Sequence, residues 1–313
     1  MNVTIVRACL RDGRGGSPTA VLDDTPLTDD ERREVPVRAG TSHAVFLSAD
    51  RDGGGATLRF FTAEGELPGC GHGTVAALAV LAARTGTREV TLRTRGGTLA
   101  GRAIRHDGND GNDGNDGNDG NDGNDGNDGN DGNGGLEAWF TPGPVGLRAP
   151  EAGEHEDVLT ALGVAADTPG CVVATLGRPR LLVPLPTRSA VAAVTPDLDR
   201  LRTACDRLAL LGCYLYSAPA SDGRVAARMF APSIGVPEDI ANANSTACLA
   251  AHLARTGLGR LTADMGDALG APASVTAVVH ADGDGPKFLV GGAAVITREP
   301  KGRSAVFTPG SGR

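Results

Sequence analysis

Apolar and polar residues alternate in short runs along most of this chain. Alternation over four to eight residues is typical of a strand that buries one face. In the first half these runs are VTIVRAC, TAVL, AVFLS, TLRFFT, EVTLRT, TLAGRAI and LEAWF. In the second half they are CVVATL, RLLVPL, CYLYS, RVAARMFA, SVTAVVH and KFLVGGAAVITR. The pattern therefore predicts a protein built mainly from short strands.

Two stretches of small apolar residues interrupt this alternation, one in each half. The first begins after Cys70, and the second covers residues 245–255 (STACLAAHLAR). A helix with small residues on every side fits inside a curved sheet, where larger side chains would not. Shorter helices are predicted near 156–163 (EDVLTALG) and over 198–211.

The two halves share one order of elements, because each has several strands followed by a small-residue helix. We therefore predict an α+β fold of two pseudo-symmetric lobes, each a β-barrel-like sheet around a central helix. The N-terminal lobe is expected to cover residues 1–146 and the C-terminal lobe residues 147–313. A cleft between two such lobes is the usual place for a ligand.

Each small-residue helix begins after a polar, turn-like segment. These segments cover 60–74 (FFTAEGELPGCGHGT) and 228–246 (RMFAPSIGVPEDIANANST). The first N–H groups of a helix have no partner within it, so they favour a carboxylate or a phosphate. His72 can add a donor there, whereas Cys70 is either an activated thiol or a small buried filler.

Composition and charge exclude several classes of protein. Of the 313 residues only 3% are aromatic, which argues against nucleic-acid binding by base stacking. The net charge is −8, but the segment 107–133 contributes nine Asp residues, so the rest carries +1 and has no basic field for nucleic acid or a membrane. No apolar run is long enough to span a bilayer. The six cysteines form no CxxC pair, and no signal peptide follows Met1, so a cytoplasmic protein with free thiols is expected.

The segment 107–133 repeats Asp-Gly-Asn and cannot bury apolar surface. It is expected to be a disordered loop at the tip of a hairpin, between the strands predicted at 98–104 and 136–140. A repeat that binds calcium also needs a large apolar residue in each unit, and this one has none.

Metal and nucleotide sites are not expected at the first helix start. Cys70 and His72 are two residues apart, and no neighbouring Asp, Glu or His completes a tetrahedron. A Walker loop is excluded because no Gly-Lys-Ser/Thr occurs.

Several ordered segments resemble the phenazine-biosynthesis (PhzF-like) isomerase family, which has the diaminopimelate-epimerase fold. The resemblance spans nearly the whole chain except the repeat, and it favours the two-lobe architecture. The matching segments are 16–21 (GSPTAV), 66–74 (ELPGCGHGT), 228–232 (RMFAP), 235–244 (GVPEDIANAN) and 290–295 (VGGAAV).

The resemblance also implies a set of site residues at the cleft. A family glutamate shuttles a proton between carbons of a small cyclic dienoic amino acid without a cofactor, and the gap-free match over residues 27–46 places His43 at that position. His72 and Asp239 stand at family positions that bind or assist. The remaining substrate-binding candidates are Cys70, Gly71, Gly73, Thr74, Asn242, Asn244 and Ser17. The partners implied are a small carboxylate substrate and a second copy of the chain, as a homodimer.

With His43 at the position of the glutamate, the same proton transfer is possible, but an imidazole carries it out in place of a carboxylate. A neutral imidazole can accept a proton and return it at another carbon. We therefore predict a cofactor-independent isomerase of secondary metabolism that moves a proton in a 1,3-type or double-bond shift. An amino-acid epimerase or racemase that uses Cys70 and Asp239 is the second hypothesis. A catalytically inactive ligand-binding relative, with His43 buried for structural reasons, is the third.

The segment before His43 predicts a helix that begins well and ends early. Thr28 is followed by three acidic residues, which is typical of a helix start. Pro36 is expected to break the helix, because proline lacks the backbone N–H that the helix needs.

Overall fold

The fold is described from a computed structural model that covers residues 2–51, 53–86, 89–105, 135–151, 153–282 and 285–297. The repeat predicted to be disordered, 107–133, lies outside these residues. Among the described residues, none of the helices combines the length and the apolar character needed to cross a bilayer.

Strands dominate the structure, as the alternating pattern predicts. Those before the repeat are β1 (Thr4–Leu10), β2 (Ser17–Asp23), β3 (His43–Ala49), β4 (Gly55–Thr62), β5 (Gly65–Leu67), β6 (Glu89–Thr94) and β7 (Gly97–Arg105). Those after it are β8 (Leu136–Phe140), β9 (Gly146–Arg148), β10 (Val172–Leu176), β11 (Arg178–Leu185), β12 (Cys213–Ser217), β13 (Arg224–Ala231), β14 (Val236–Asp239), β15 (Arg260–Met265), β16 (Ala273–Asp282) and β17 (Gly285–Thr297).

The described residues form six α-helices, and two of them are the predicted small-residue helices. They are α1 (Asp29–Ala39), α2 (Gly71–Thr85), α3 (Glu156–Leu162), α4 (Arg188–Ala193), α5 (Leu198–Arg207) and α6 (Ala243–Ala254). Single 3₁₀ turns follow β13 and β15, over Pro232–Ile234 and Asp267–Leu269.

The strands before the repeat form a closed barrel with two strands from later in the chain. Pairing runs β1–β2–β3–β4–β6–β7–β8–β17 and returns from β17 to β1. Helix α2 packs against these strands, and every residue from Gly71 to Leu81 is buried. Small residues on all sides of α2 are therefore what the curved sheet requires.

A second curved sheet continues from the same strand. Its pairing runs β9–β10–β11–β12–β13–β15–β16–β17. Helix α6 packs against β10, β15, β16 and β17, and most of its residues are buried. The barrel of the first half is thus completed by β17, which lies almost at the other end of the chain.

Helix α1 confirms its predicted start but not its predicted early end. Thr28 caps the helix with a capping box, because its side chain accepts from the Glu31 N–H and the Glu31 side chain accepts from the Thr28 N–H. The helix then passes through Pro36 and ends at Ala39, with Gly40 in the left-handed region. Pro36 lies near the end of the helix, and its carbonyl accepts from Thr41 in the C-terminal cap, so the helix continues past Pro36 and the expected break is wrong.

The helix predicted over 198–211 is also shorter than expected. It ends at Arg207, and Ala209 adopts a left-handed φ of 53°. The Leu210 N–H donates to the carbonyl of Cys205, which turns the chain back toward β12. The need to enter the sheet at Cys213 therefore overrides the local helical pattern.

Candidate active site

A cavity of about 320 Å³ lies where the first turns of α2 and α6 approach each other. Its volume suits a small molecule. The predicted site residues that line it are His43, Cys70, Gly71, His72, Thr74, Asp239, Asn242 and Asn244. The structure therefore brings together candidates from three separate parts of the sequence.

The two helices meet through their N-terminal ends. A Cβ placed on Gly71 would lie 2.6 Å from the Cβ of Ala243 and 3.0 Å from the backbone N of Asn244. Glycine is therefore required for this approach. Because each helix start carries partial positive charge and unpaired N–H groups, the junction favours an anion.

His43 occupies the first position of β3, next to Thr19 of β2. It is 3% exposed, and its Nδ1 lies 2.9 Å from the hydroxyl of Ser42. Burial and the neighbouring His72 hold the pKa of His43 well below its usual value. Its imidazole is therefore neutral near pH 7 and can accept a proton.

His72 lies one residue inside α2 and is fully enclosed by protein. Its Nδ1 lies 2.8 Å from the carbonyl of Ala241 and 3.8 Å from Oδ2 of Asp239. Burial opposes the charged form, but the Cys70 sulfur, the Asp239 carboxylate and the Ala241 carbonyl raise the pKa of His72 to about 10. The pKa values of the two histidines are thus shifted in opposite directions.

Asp239 ends β14 and faces His72 from the other half of the chain. Its Oδ2 accepts from the side-chain amide of Asn242, and its Oδ1 has no partner among the described residues. Burial raises the pKa of Asp239, and His72 and Asn242 oppose that shift. Asn242 also caps α6 by accepting from the Ser245 N–H, so the cap orients the carboxyl group.

Cys70 is the N-cap residue of α2, and its sulfur lies 3.6 Å from Nε2 of His72. The donor atoms of His43, Cys70 and His72 all lie within 4.8 Å of one another. Sequence spacing missed this arrangement, because His43 is remote from the Cys70–His72 pair in sequence and close to it only in the fold. β3 and α2 are adjacent in the barrel, so residues far apart in sequence share one wall.

Two predicted binding residues stand apart from the described cavity lining. Ser17 is buried at the start of β2, and Gly73 lies in the first turn of α2 against the ring of Phe60. Their assignment as substrate contacts stays a prediction.

Arg180 is a cavity residue that sequence reasoning missed. It is 1% exposed, and it donates to the hydroxyl of Ser245 and to the carbonyls of Leu176 and Arg178. Within the described ranges it forms no ion pair with a carboxylate, and its Nε has no partner. An Arg at the start of an apolar run gives no signal of burial, because strand starts are commonly exposed. A buried guanidinium without a counter-ion is costly, so it points to an anionic ligand.

Comparison with known proteins identifies the family of this chain. The family model for phenazine biosynthesis-like proteins (PhzC-PhzF) matches residues 11–300. The chain belongs to this family. That membership confirms the resemblance drawn from the sequence, and the named relatives are isomerases, so the chain is an enzyme of the isomerase class.

Two relatives show how far the similarity extends. An uncharacterized isomerase of Deinococcus radiodurans is 30% identical over 92% of this chain and 89% of its own length. The trans-2,3-dihydro-3-hydroxyanthranilate isomerase of Pseudomonas fluorescens is 28% identical over 77% of this chain and 76% of its own length.

Solved structures share the fold. A predicted epimerase from Pseudomonas aeruginosa superimposes with a TM-score of 0.73 at 25% identity, over 95% of this chain and 96% of its own. A PhzF-family phenazine biosynthesis protein from Bacillus anthracis gives the same TM-score at 17% identity, over 95% and 98%.

Proposed function

We propose that this protein moves a proton between carbons of a small, cyclic, unsaturated carboxylic or amino acid, in secondary metabolism. The observation that carries the proposal is that His43 lines the same cavity as His72 and Asp239. The sequence resemblance, which aligns His43 with the family's glutamate, supports the proposal. A relative that isomerizes trans-2,3-dihydro-3-hydroxyanthranilate supports this class of substrate.

The proton shuttle assigned to His43 follows from its hydrogen bond. If Nδ1–H donates to the hydroxyl of Ser42, the lone pair of Nε2 is available. Nε2 removes a proton from one ring carbon, and the C–H electron pair shifts into the adjacent π system. The imidazolium then returns the proton at a different carbon, so the substrate is isomerized and the enzyme is regenerated.

The charge that develops on the substrate needs positive partners. His72, the N–H groups at the starts of α2 and α6, and Arg180 supply them in one cavity. We assign the substrate carboxylate to this group of donors. Asp239 then holds an amino or imino group, or assists as an acid or base, because its Oδ1 has no protein partner.

The proposed architecture is the pair of pseudo-symmetric lobes, 1–146 and 147–313, with one helix start supplied by each. The approach of α2 to α6 supports a site between lobes. Assembly as a homodimer stays a prediction from the resemblance.

An epimerase or racemase is the second candidate function. Cys70 and Asp239 line the cavity from different halves of the chain, and a structural neighbour is a predicted epimerase. In that reaction the two groups would remove and return a proton on opposite faces of one α-carbon.

Deuterium exchange tests these functions directly. The protein is incubated in D₂O with trans-2,3-dihydro-3-hydroxyanthranilate, other cyclic dienoic acids and α-amino acids, and NMR locates the deuterium. We expect the parent protein to incorporate deuterium. Incorporation should be lost in His43→Ala and kept in Cys70→Ser. It should also be kept in His43→Glu, which carries the residue that the resemblance places at this position in the family. Loss with Cys70→Ser and retention with His43→Ala would favour the epimerase. Binding without exchange for every compound would favour an inactive relative.

A further inference from the structure

The replacement that puts an imidazole at position 43 also creates a cluster of metal-ligating side chains. His43 opens β3, whereas Cys70 and His72 flank the start of α2, and all three are buried. Their donor atoms lie within 4.8 Å of one another. A thiolate and two imidazoles are ligands that Zn²⁺ and its neighbours prefer to Mg²⁺ or Ca²⁺.

The distance between the sulfur of Cys70 and Nε2 of His72 equals that between two ligand atoms of a tetrahedral zinc ion. Zn–S bonds of about 2.3 Å and Zn–N bonds of about 2.0–2.1 Å, at a tetrahedral angle, place sulfur and nitrogen about 3.6 Å apart. Sγ of Cys70 lies 3.6 Å from Nε2 of His72 and 3.9 Å from its Nδ1, so the sulfur faces the ring. The ring of His72 must therefore turn before its Nε2 lone pair can point at an ion that Cys70 also binds.

The hydrogen bonds behind both rings leave the same nitrogen free. Nδ1 of His43 lies against the hydroxyl of Ser42, and Nδ1 of His72 lies against the carbonyl of Ala241. The Asp239 carboxylate stands behind His72 at 3.8 Å from Nδ1. Histidines that bind metals usually donate their other N–H to an oxygen in this way, which fixes the tautomer and leaves Nε2 for the metal.

The fourth coordination position would face the cavity that all three residues line. Three protein ligands with an open position are typical of zinc sites that bind a small ligand or water. We propose that His43, Cys70 and His72 form a transition-metal site of the Zn²⁺ class at the floor of this cavity. Metal binding would displace the thiol proton of Cys70 and the Nε2 proton of the His72 imidazolium, and both protons are released to solvent.

This site uses the residues of the proposed isomerase but does not depend on that function. A metal ion on Nε2 of His43 occupies the lone pair that would accept the substrate proton. Metal loading therefore inhibits proton transfer, and the metal-free protein is the form that exchanges deuterium.

Co²⁺ is a suitable probe, because its visible bands report tetrahedral coordination and its ultraviolet charge-transfer band reports a thiolate ligand. The full chain, stripped with a chelator, is titrated with Co²⁺ and then with Zn²⁺. We expect both bands to appear at one equivalent and to disappear when Zn²⁺ displaces Co²⁺. Cys70→Ser should lose the charge-transfer band, and His43→Gln should weaken Zn²⁺ binding by more than the roughly 10- to 100-fold that loss of an outer-shell partner causes.

Cys171→Ser is the matched control, because Cys171 is buried in a different apolar cluster away from the cavity lining. It should retain both bands, and circular dichroism should show that all three variants are folded. The proposal is overturned if no bands appear, or if Cys70→Ser and His43→Gln bind the metal as the parent protein does, which would indicate adventitious binding only.

The two proposals fail separately. Absence of deuterium exchange in metal-free protein that still binds Co²⁺ through Cys70 overturns the isomerase and leaves the metal site standing. If the protein shows no cobalt bands and excess Zn²⁺ does not change its deuterium exchange, the metal site alone is overturned.

Discussion

The imidazole rings of His43 and His72 meet edge to face, with centroids 4.5 Å apart and planes at 83°. Burial lowers the pKa of His43, while Cys70 and Asp239 overcome burial and raise the pKa of His72. Acid–base catalysis often uses two neighbouring titratable groups whose surroundings shift their pKa values apart. In the proposed mechanism the two rings have different tasks, because His43 accepts the proton and His72 is the cation.

Asp239→Asn should lower both activity and stability. The amide oxygen can still accept from Asn242, but the charge that faces His72 is lost. We expect deuterium exchange to fall about 10²- to 10⁴-fold. The free energy of unfolding at pH 7 should fall by up to about 3–5 kcal/mol, because the buried imidazolium of His72 loses its carboxylate partner. Urea denaturation and the exchange assay measure the two effects. Unchanged exchange would remove Asp239 from the mechanism.

Gly71→Ala should force the starts of α2 and α6 apart. The added Cβ would lie 2.6 Å from that of Ala243, so both helix ends must shift. We expect a loss of about 1–3 kcal/mol in the free energy of unfolding and weaker binding of carboxylates in the cavity. Gly69→Ala is the matched control, because a Cβ there meets no atom within 4 Å. Equal stability of the two variants, measured by denaturant unfolding, would contradict the close approach.

Arg180→Gln should weaken carboxylate binding specifically. A hydrogen bond to a charged group is worth about 1.5–3 kcal/mol, which corresponds to roughly a 10- to 150-fold change in Kd. Isothermal titration with benzoate and with benzamide separates charge recognition from ring binding, because only benzoate carries the anion. We expect the variant to lose affinity for benzoate and to bind benzamide as before. A parallel loss for both ligands would indicate that Arg180 only shapes the cavity.

Removal of residues 107–133 should leave the protein folded and active. The flanking strands already pair, with Arg105 opposite Leu136. A loop about ten times shorter costs about 2 kcal/mol less to close, so the melting temperature should stay the same or rise. Replacement of the segment by Gly and Ser at equal length is the control that removes the Asp charges and keeps the length. A deletion variant that fails to fold would show that the repeat is structural.

Local chemistry was sufficient to predict many elements. Strand alternation predicted most of the strands, and small-residue composition identified α2 and α6. Thr28 with Glu31 predicted the start of α1. These features depend on residues within a few positions of one another, so they can be read along the chain. The prediction of His43 as a site residue came instead from the resemblance to the family, and the structure shows that His43 lines the cavity.

Only the tertiary structure decided how these elements combine. Nothing in the alternation of β17 indicates that it closes a barrel against β1 and β8, and β14 and β15 were not predicted. The contact of His43 with His72, the closeness of His43 to Cys70 and the burial of Arg180 depend on chain segments far apart in sequence. Sequence by itself determined which side chains are present and which local shapes they favour. Packing between distant segments decided which of them share a cavity, because burial and the distance between charges are set by the fold as a whole.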